Sequence, residues 1–204
     1  SFAWIVNGKR SDNGTALIVS APQMAHFTPA YCHQIHLCGA GRDVRGMGYP
    51  GSPGVWLGAN RWISWTGTGG GSKQVDTFYE VLHPKDPTRY LFKGSYKRMK
   101  SHVEEIRCLG KPSAQILRVY KSVHGPIVFW DLKNRIALAK KSSAYMRELD
   151  TWVAWMKIGT ARNVYEFDKA AAMGTISGNM LCADSDGNIA YRHMGLMPIR
   201  AEGL

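Results

Sequence analysis

The sequence lacks several features that would by themselves assign it to a large functional class. Its apolar runs fall far short of the ~20 residues that a membrane-spanning helix needs. It contains no CxxC pair and no cysteine–histidine spacing typical of a zinc site. The glycines at 39 and 41 do not continue into a GxGxxG fingerprint, and the glycine-rich stretch 66–72 lacks the Lys-Ser/Thr ending of a P-loop. These absences argue against a membrane span, a zinc centre and a phosphate-binding loop.

Acidic residues are scarce. The chain has 15 Asp and Glu against 26 Lys and Arg, a formal net charge of +11. Such a charge raises the possibility of nucleic-acid binding. However, the basic residues are scattered among acidic ones, and no nucleic-acid recognition motif accompanies them. We therefore expect a solvated basic surface and no nucleic-acid partner, or a fragment whose missing partner is acidic.

Cysteine is also sparse, with four residues at Cys32, Cys38, Cys108 and Cys182. Cys32 and Cys38 are predicted to share one strand, which would separate their Cα atoms by roughly 20 Å. A disulfide tolerates at most ~7 Å. The cysteines are expected to be mostly buried small apolar residues, with a Cys108–Cys182 pair left open. They do not indicate a cellular compartment.

The first third of the chain is predicted to consist of β-strands and turns. Apolar runs at 2–8 and 15–20 flank turn chemistry at 11–14, which indicates a β-hairpin. An alternating strand follows at 31–37. The predicted elements after it are a Gly/Pro loop at 46–54, short β runs at 55–58 and 62–65, and a glycine-rich segment at 66–72 that suits a flexible linker as readily as an anion-stabilising loop.

The middle of the chain predicts an antiparallel meander, punctuated by turns at 86–87, 110–112 and 124–126. Its predicted strands are 75–81, 89–92, 103–108, 114–120, 126–130 and 134–140. His124, beside Gly125 and Pro126, has no carboxylate at a meaningful sequence spacing. A structural role in a loop or at a strand end is therefore favoured for it.

Helical periodicity appears only after residue 142. Leu149, Trp152, Val153 and Met156 recur at helical spacing and are predicted to face inward, which leaves Trp155 off the stripe. A second helix is predicted from about 161 to 173, with Val164, Phe167 and Ala171 inward. The final segment, 183–191, predicts a hairpin around an Asp-Gly turn rather than a calcium loop, because the bidentate glutamate of such loops is missing.

Ser1 suggests a specific chemistry if it is the first residue of a mature chain. A serine hydroxyl is a poor nucleophile until a nearby base takes its proton, and a terminal amine can be that base. An α-amino group has a pKa of roughly 7.7–8.0, against about 10.4 for lysine, so much of it is unprotonated near neutral pH. One residue would then supply both the attacking atom and the base. The alternative is a sequence boundary that happens to fall on serine.

A series of short motifs occurs in the order found in one family. They are Ser1-x-x-Trp4, Pro22-Gln23, Pro29-Ala30-Tyr31, Gly39-Ala40-Gly41-x-Asp43-Val44, Pro53-Gly54, Gly58-x-Asn60-x-x-Ile63-Ser64-Trp65, Val75-Asp76 with Glu80, Val123-His124-Gly125 and Ala183-Asp184-x-x-Gly187-Asn188-Ile189-x-Tyr191. With these motifs the whole chain resembles the penicillin acylase family of N-terminal-nucleophile amide hydrolases. The resemblance is closest to the N-terminal part of the penicillin G acylase β-subunit.

The resemblance implies an α+β fold, the four-layer αββα arrangement, represented here by its N-terminal portion. Within 1–204 it implies a nucleophile sheet with pocket loops at about 1–72, an antiparallel β region at about 73–141, and helices with a return hairpin at about 142–204. It also implies a self-cleaving precursor that exposes Ser1, a partner α-subunit from that precursor, the remaining β-subunit segment, and a periplasmic or secreted location.

The resemblance also assigns roles to individual positions. Ser1 would attack the amide carbonyl, the main chain at Gln23 would orient it, and the Gly69 N–H would donate to the oxyanion. The positions that match the acyl pocket are Met24, Leu57, Gly67 and Trp155.

The sequence departs from the family pattern at several of these positions. Phe2 replaces asparagine, Gly67 replaces serine, and Met24 and Leu57 replace aromatic residues. These changes give no reason to expect selectivity for a phenylacetyl group. A long or branched acyl chain, as in acyl-homoserine lactone acylases, fits equally well.

A calcium site implied by the resemblance is weakened in the same way. Val75 and Asp76 match calcium-binding positions, but Lys73 stands where the family has aspartate, and its charge would repel Ca²⁺. No cofactor is expected to be required, and calcium stays an open possibility.

The leading prediction is hydrolysis of a linear amide bond through an acyl-enzyme on Ser1, as in a penicillin amidase-like acylase. The alternatives are an N-acyl-homoserine lactone acylase of the same family and a catalytically impaired binding protein on this scaffold. A basic nucleic-acid module ranks below all of these.

Overall fold

The structure, a computed structural model, describes residues 1–26 and 28–201 and contains two compact units. One unit comprises Ser1–Gln74 with Ala144–Leu204, and the other comprises Val75–Ser143. Strands dominate both units, and two α-helices lie in the first, so the predicted α+β class is confirmed. No helix in the described part of the chain is long and apolar enough to span a bilayer.

The elements are as follows in chain order. The first unit begins with β1 Phe2–Val6, a 3₁₀ turn Gly8–Arg10, β2 Leu17–Ala21, β3 His33–Gly39, β4 Arg42–Gly48, β5 Leu57–Ala59 and β6 Ile63–Gly69. The second unit contains β7 Val75–His83, β8 Asp86–Phe92, β9 Ser95–Arg98, β10 Lys100–Ile106, β11 Gln115–Lys121, β12 Ile127–Asp131 and β13 Ile136–Ser142. The first unit resumes with α1 Leu149–Ile158, α2 Val164–Ala171, β14 Gly178–Asp184 and β15 Ile189–Met194.

The first unit is built on a six-stranded antiparallel sheet in the order β15-β14-β6-β5-β4-β3. The predicted hairpin β1–β2 is confirmed as a separate two-stranded ladder, with Phe2 opposite Ala21. The predicted turn at 184–188 is confirmed as the β14–β15 connection. There the buried Asp184 carboxylate accepts hydrogen bonds from the main chain of Asp186 and Asn188.

Strand periodicity gives this sheet one apolar face, because alternate side chains point to the same side. On β6 and β14 that face carries Ile63, Trp65, Met180 and Cys182, all nearly inaccessible to solvent. They form one core cluster with residues of both helices, among them Trp155, Ile158 and Phe167. We call this side the helix face.

Strands extend into two segments that were predicted to be loops. β4 runs on to Gly48, inside the predicted Gly/Pro loop, because Gly46 lets two strands approach each other closely. A Cβ at Gly46, whose φ is +154°, would lie 2.0 Å from the Leu57 carbonyl oxygen. The glycine-rich segment is likewise mostly strand, since β6 continues to Gly69 and pairs with β14.

Helix α2 is confirmed, with Val164, Phe167 and Ala171 buried. Asn163 caps it by accepting hydrogen bonds from the amides of Tyr165 and Glu166 at 3.1 and 2.9 Å. This capping satisfies amides that the first turn leaves without intrahelical partners.

The predicted inward stripe of α1 is wrong for three of its four residues, and only Trp152 packs against the core cluster. Leu149 is 73% exposed, and Val153 and Met156 are also exposed. The buried residues are Thr151, Ala154, Trp155 and Ile158, which have the same helical spacing on the other side of the helix. This side is buried because Trp155 packs against Tyr49 and Trp56 at the core cluster.

The second unit is not a simple meander. Its five-stranded sheet has the order β12-β13-β7-β8-β9, so β13 returns to pair with β7, and β10 and β11 form a ladder of their own. Its core cluster contains Leu82, Tyr90, Met99 and Ala137. Strand β9 was missed in the sequence because its residues are all exposed and lack an apolar alternation.

His124 is not isolated, contrary to the prediction. Its Nδ1 lies 2.8 Å from Oε1 of the buried Glu80, and its ring stacks on Phe78. The carboxylate was missed because it lies on β7, 44 residues earlier in the chain.

The four cysteines are all free. The Cys108–Cys182 pair left open by the sequence is therefore not formed. Cys182 is buried, and burial, helped by the nearby Asp184, raises the pKa of its thiol to about 12. Cys38 and Cys108 are exposed, so the expectation of mostly buried cysteines is wrong for these two.

Candidate active site

The hydroxyl of Ser1 is held by the main chain of Gln23. The register of the hairpin, Phe2 opposite Ala21, brings the start of β1 beside the residues that follow β2. The Gln23 N–H donates a hydrogen bond of 3.0 Å to Ser1 Oγ, and both residues are exposed. An N–H pointed at Oγ orients the hydroxyl and favours negative charge on that oxygen. Two of the sequence-predicted residues are thus brought into direct contact.

The hairpin that carries Ser1 is seated on the second face of the six-stranded sheet. Thr66, only 1% exposed, donates a hydrogen bond of 2.5 Å from its Oγ1 to Ser20 Oγ on β2. Thr66 alternates with Trp65 and Gly67 along β6, so it points away from the helix face. We call this second side the hairpin face.

Gly69 is the last residue of β6, three positions beyond Thr66 on the same strand. It is exposed, and nothing lies within 4 Å of where a Cβ would stand. Its carbonyl oxygen accepts a hydrogen bond of 3.1 Å from Asn179 Nδ2 on β14. The structure therefore places Gly69 at an open strand end with its carbonyl already fixed.

The four predicted acyl-pocket residues fall on different sides of the sheet. Leu57 is buried on the hairpin face, because the strand registers place it on the same side as Thr66. Gly67 lies on the helix face, where an added Cβ would meet Met180 Sδ at 2.8 Å. Met24 is half-buried and lies 3.5 Å, sulfur to sulfur, from Cys32. Met24, Leu57, Gly67 and Trp155 therefore do not share one face.

Trp155 belongs to an aromatic cluster that sequence reasoning missed. Its ring lies 6.2 Å from Tyr49, 6.1 Å from Trp56 and 4.8 Å from Trp152. Burial, together with nearby Cys32, raises the pKa of Tyr49 to about 12. The Trp155 indole N–H is buried without a hydrogen-bond partner among residues 1–26 and 28–201. The cluster was missed because Tyr49 and Trp56 lie about a hundred positions before Trp155 in the sequence.

Val75 and Asp76 are the first two residues of β7, in the second unit. In the β7–β13 ladder Asp76 lies opposite Lys141. Calcium takes six to eight oxygen ligands, usually with several carboxylates. Within the described ranges there is no group of three or more His, Cys, Asp or Glu that could hold a metal ion. The described residues therefore provide no such carboxylate cluster around Val75 and Asp76, and calcium binding there stays a prediction.

Comparison with known proteins places these observations in one family. Residues 1–204 match the family model described as penicillin amidase. The chain is 34% identical over 203 residues to penicillin G acylase of Escherichia coli, covering 100% of this chain and 24% of that protein. It is 29% identical over 213 residues to an acyl-homoserine lactone acylase of Pseudomonas fluorescens, covering 97% of this chain and 27% of that protein.

A solved structure supports the same assignment. The thermostable penicillin G acylase of Alcaligenes faecalis superposes with a TM-score of 0.92 at 32% identity, over 99% of this chain and 36% of that one. The chain thus spans about a quarter of the length of the curated relatives named above. The sequence resemblance and the fold that it implied are confirmed. The chain belongs to the penicillin amidase family.

Proposed function

We propose that this chain supplies the nucleophile of an enzyme that hydrolyses linear N-acyl amides through an acyl-enzyme on Ser1. The observation that carries the proposal is the 3.0 Å hydrogen bond from the Gln23 N–H to Ser1 Oγ, which holds the hydroxyl at an exposed position. Membership of a family whose named members are acylases supports it. The proposal requires that Ser1 carry a free α-amino group in the mature enzyme.

Each step has a defined proton acceptor. The α-amine takes the hydroxyl proton as Oγ attacks the carbonyl carbon, giving a tetrahedral intermediate with a negative oxygen. As the C–N bond breaks, the protonated amine returns that proton to the leaving amine, and an ester to Ser1 remains. Water then loses a proton to the same amine, attacks the ester, and releases the carboxylic acid and the free hydroxyl.

Two main-chain groups have roles in this scheme. The Gln23 N–H orients Oγ before attack. The Gly69 N–H, at the open end of β6, is our candidate donor to the tetrahedral oxyanion. Removing a single oxyanion donor typically slows an acyl-transfer enzyme by about 10²–10³-fold.

We propose that the acyl group lies on the hairpin face of the sheet, where Leu57 and Met24 offer aliphatic and thioether surface. Gly67 points to the helix face, where Met180 already fills the space beside it, and so has no direct part in this pocket. An acyl-homoserine lactone is a second candidate substrate, because several relatives carry that activity in their names. We further propose that an α-subunit from the same precursor and the rest of the β-subunit complete the pocket.

An acyl-trapping experiment tests the nucleophile. The mature full-length enzyme is mixed with an activated acyl ester, quenched in acid, digested and analysed by mass spectrometry. We expect a stoichiometric burst and one acyl adduct, on Oγ of Ser1, in a peptide whose amine is otherwise free. The Ser1→Ala variant should lose about 10⁴-fold or more in kcat/KM, whereas Ser185→Ala, in the exposed β14–β15 turn, should match the wild type.

Three outcomes would contradict the proposal. They are an adduct on another residue, undiminished turnover by Ser1→Ala, and full activity of a protein that retains an extra residue ahead of Ser1. Ligand binding without any burst would instead favour a binding protein on this scaffold.

A further inference from the structure

Three side chains form a row across the hairpin face of the sheet. Thr68 on β6 is the register partner of Asn179 on β14, and Asn179 is the partner of His193 on β15. Partners in an antiparallel ladder point to the same face. Thr68 also shares its face with Thr66, whose hydroxyl bonds the hairpin through Ser20. The row therefore lies on the side of the sheet that carries Ser1.

Asn179, at the centre of the row, uses the full hydrogen-bonding capacity of its side chain. Its Nδ2 donates to Thr68 Oγ1 and to the Gly69 carbonyl, both at 3.1 Å. Its Oδ1 accepts from the Tyr191 hydroxyl at 2.9 Å and contacts His193 Nδ1 at 2.8 Å. A side-chain amide has two donor hydrogens and two acceptor lone pairs, so none is left over.

The carbonyl of Gly69 determines which atom donates and which accepts at each contact in this network. A carbonyl oxygen only accepts, so Nδ2 of Asn179 must face Gly69 and Oδ1 must face His193. His193 Nδ1 must then carry the proton. In the neutral ring Nε2 is left as an acceptor, and Ser72 Oγ, at 2.7 Å, donates to it. The chain of contacts runs without conflict from Ser72 to Gly69.

The same network holds both ends of residues 69–72, the part of the glycine-rich segment that begins at the last residue of β6. Asn179 fixes the Gly69 carbonyl at one end, and His193 holds the Ser72 side chain at the other. The Ser72 N–H also donates to Ser177 Oγ at 3.1 Å. The glycines between them have no side chains with which to pack, so these contacts supply the order that packing would otherwise provide.

We propose that Asn179 is a positioning residue that holds the Gly69 N–H in place as an oxyanion donor. Its two donor bonds go to groups on both sides of that N–H, the Thr68 side chain before it and the Gly69 carbonyl after it. An oxyanion donor contributes most when it is oriented before the reaction begins. This inference rests on the proposed function, since it assumes that the Gly69 N–H meets the tetrahedral intermediate.

The first test compares two nearly isosteric variants in the mature full-length enzyme. Asn179→Asp keeps the size of the side chain but replaces both Nδ2 donors with an acceptor facing the Gly69 carbonyl. We expect it to lower kcat about 10- to 100-fold with little change in KM, because the donor is displaced and not removed. Tyr191→Phe removes one bond on the Oδ1 side only and should retain nearly all activity.

Inhibitor binding separates positioning from general packing. A boronic acid analogue of the acyl group forms a tetrahedral adduct on serine, whereas the carboxylic acid product does not. For Asn179→Asp the inhibition constant of the boronic acid should rise about as much as kcat falls, and that of the product acid should stay within about twofold. Equal weakening of both, or an unchanged kcat, would overturn the proposal.

Hydrogen exchange provides a readout that does not depend on catalysis. In the ligand-free enzyme, amide exchange in peptides covering residues 68–72 should be faster in Asn179→Asp than in the wild type, and unchanged in Tyr191→Phe. Wild-type exchange in Asn179→Asp would overturn the positioning role. An inactive wild-type enzyme whose exchange still follows this pattern would refute the proposed function and leave the positioning of Gly69 standing.

Discussion

The two faces of the six-stranded sheet differ in what they contact: one packs against the two helices, and the other carries the hairpin that bears Ser1. On the helix face, Ile63, Trp65 and Met180 are almost completely buried and pack with α1 and α2. On the hairpin face, alternate residues of the same strands carry hydroxyl and amide groups, such as Thr66 and Asn179. The helix face is held mainly by burial of apolar surface, whereas the hairpin face combines buried Leu57 and Ala183 with directed side-chain hydrogen bonds.

This difference shows how one strand can serve stability and chemistry together. Trp65 and Thr66 are neighbours in sequence, yet one fills the core and the other contacts the hairpin that bears Ser1. Apolar burial is roughly proportional to area and tolerates small shifts, whereas a hydrogen bond fixes direction and distance. We therefore expect changes on the helix face to lower stability, and changes in the hydrogen bonds that hold the hairpin to lower the rate as well.

The largest expected effect on stability is on the helix face. Phe167 is fully buried, so Phe167→Ala should leave a cavity that costs about 3–5 kcal/mol. The cost should appear as a lower thermal-unfolding midpoint and a lower yield of the full-length protein. The control is Tyr165→Ala, which removes an aromatic ring that is 81% exposed from the same helix. Equal midpoints for the two variants would contradict the assignment of stability to this face.

On the hairpin face we expect a smaller loss of stability that is accompanied by a loss of catalytic rate. Thr66→Val keeps the shape of the side chain but removes the hydrogen bond to Ser20, which should cost about 0.5–1.5 kcal/mol. That bond holds β2 against the sheet, and Gln23, which contacts Ser1, follows β2 directly. Its loss should shift Ser1 and lower kcat/KM about 10-fold.

The matched control for Thr66→Val is Ser64→Ala. Ser64 lies on the same strand and face, and its hydroxyl bonds the Gly58 carbonyl within the sheet. It should lose comparable stability without loss of rate. If both variants lost rate equally, the contact with the hairpin would have no special role.

Local patterns in the sequence were sufficient for the elements whose determinants are near neighbours. The β1–β2 hairpin and the Asp184–Asn188 turn rest on residues only a few positions apart. Helix α2 has a single amphipathic face and an asparagine cap directly before it. In each case the chemistry that defines the element is contained in its own short segment.

Helix α1 could not be oriented from its sequence, because two sides of it have helical spacing. The stripe with Leu149 and Met156 is the more apolar, yet the side with Trp155 and Ile158 is buried. The choice depends on Tyr49 and Trp56, about a hundred positions earlier, which form the surface against which Trp155 packs.

The details of the candidate site depend on still longer separations. Family resemblance pointed to Ser1, Gln23 and Gly69. The contact between Asn179 and Gly69 joins residues 110 positions apart and exists only because β6 pairs with β14. Periodicity within a segment carries no information on which strands become neighbours.

The smallest expected effect concerns an ion pair beside α2 on the helix face. The Arg192 guanidinium bonds Asp168 at 2.5 and 2.6 Å, and this contact holds the pKa of that carboxyl below its ordinary value. The ionised form is therefore favoured in the folded protein. Its stabilisation is present above the ordinary aspartate value of about 3.9 and is lost as the pH falls through the lowered folded value.

Asp168→Asn should remove this contribution. The two side chains are 35% and 43% exposed, so solvent screens the pair and the loss at pH 7 should be about 1 kcal/mol or less. Unfolding midpoints of wild type and variant should differ at pH 7 and converge as the pH falls below the ordinary aspartate pKa and through the lowered folded pKa, while Asp186→Asn, in an exposed turn, should follow the wild type throughout. A difference that persisted at the lowest pH would mean that packing around Arg192, and not the charge of Asp168, supports this edge of the helix face.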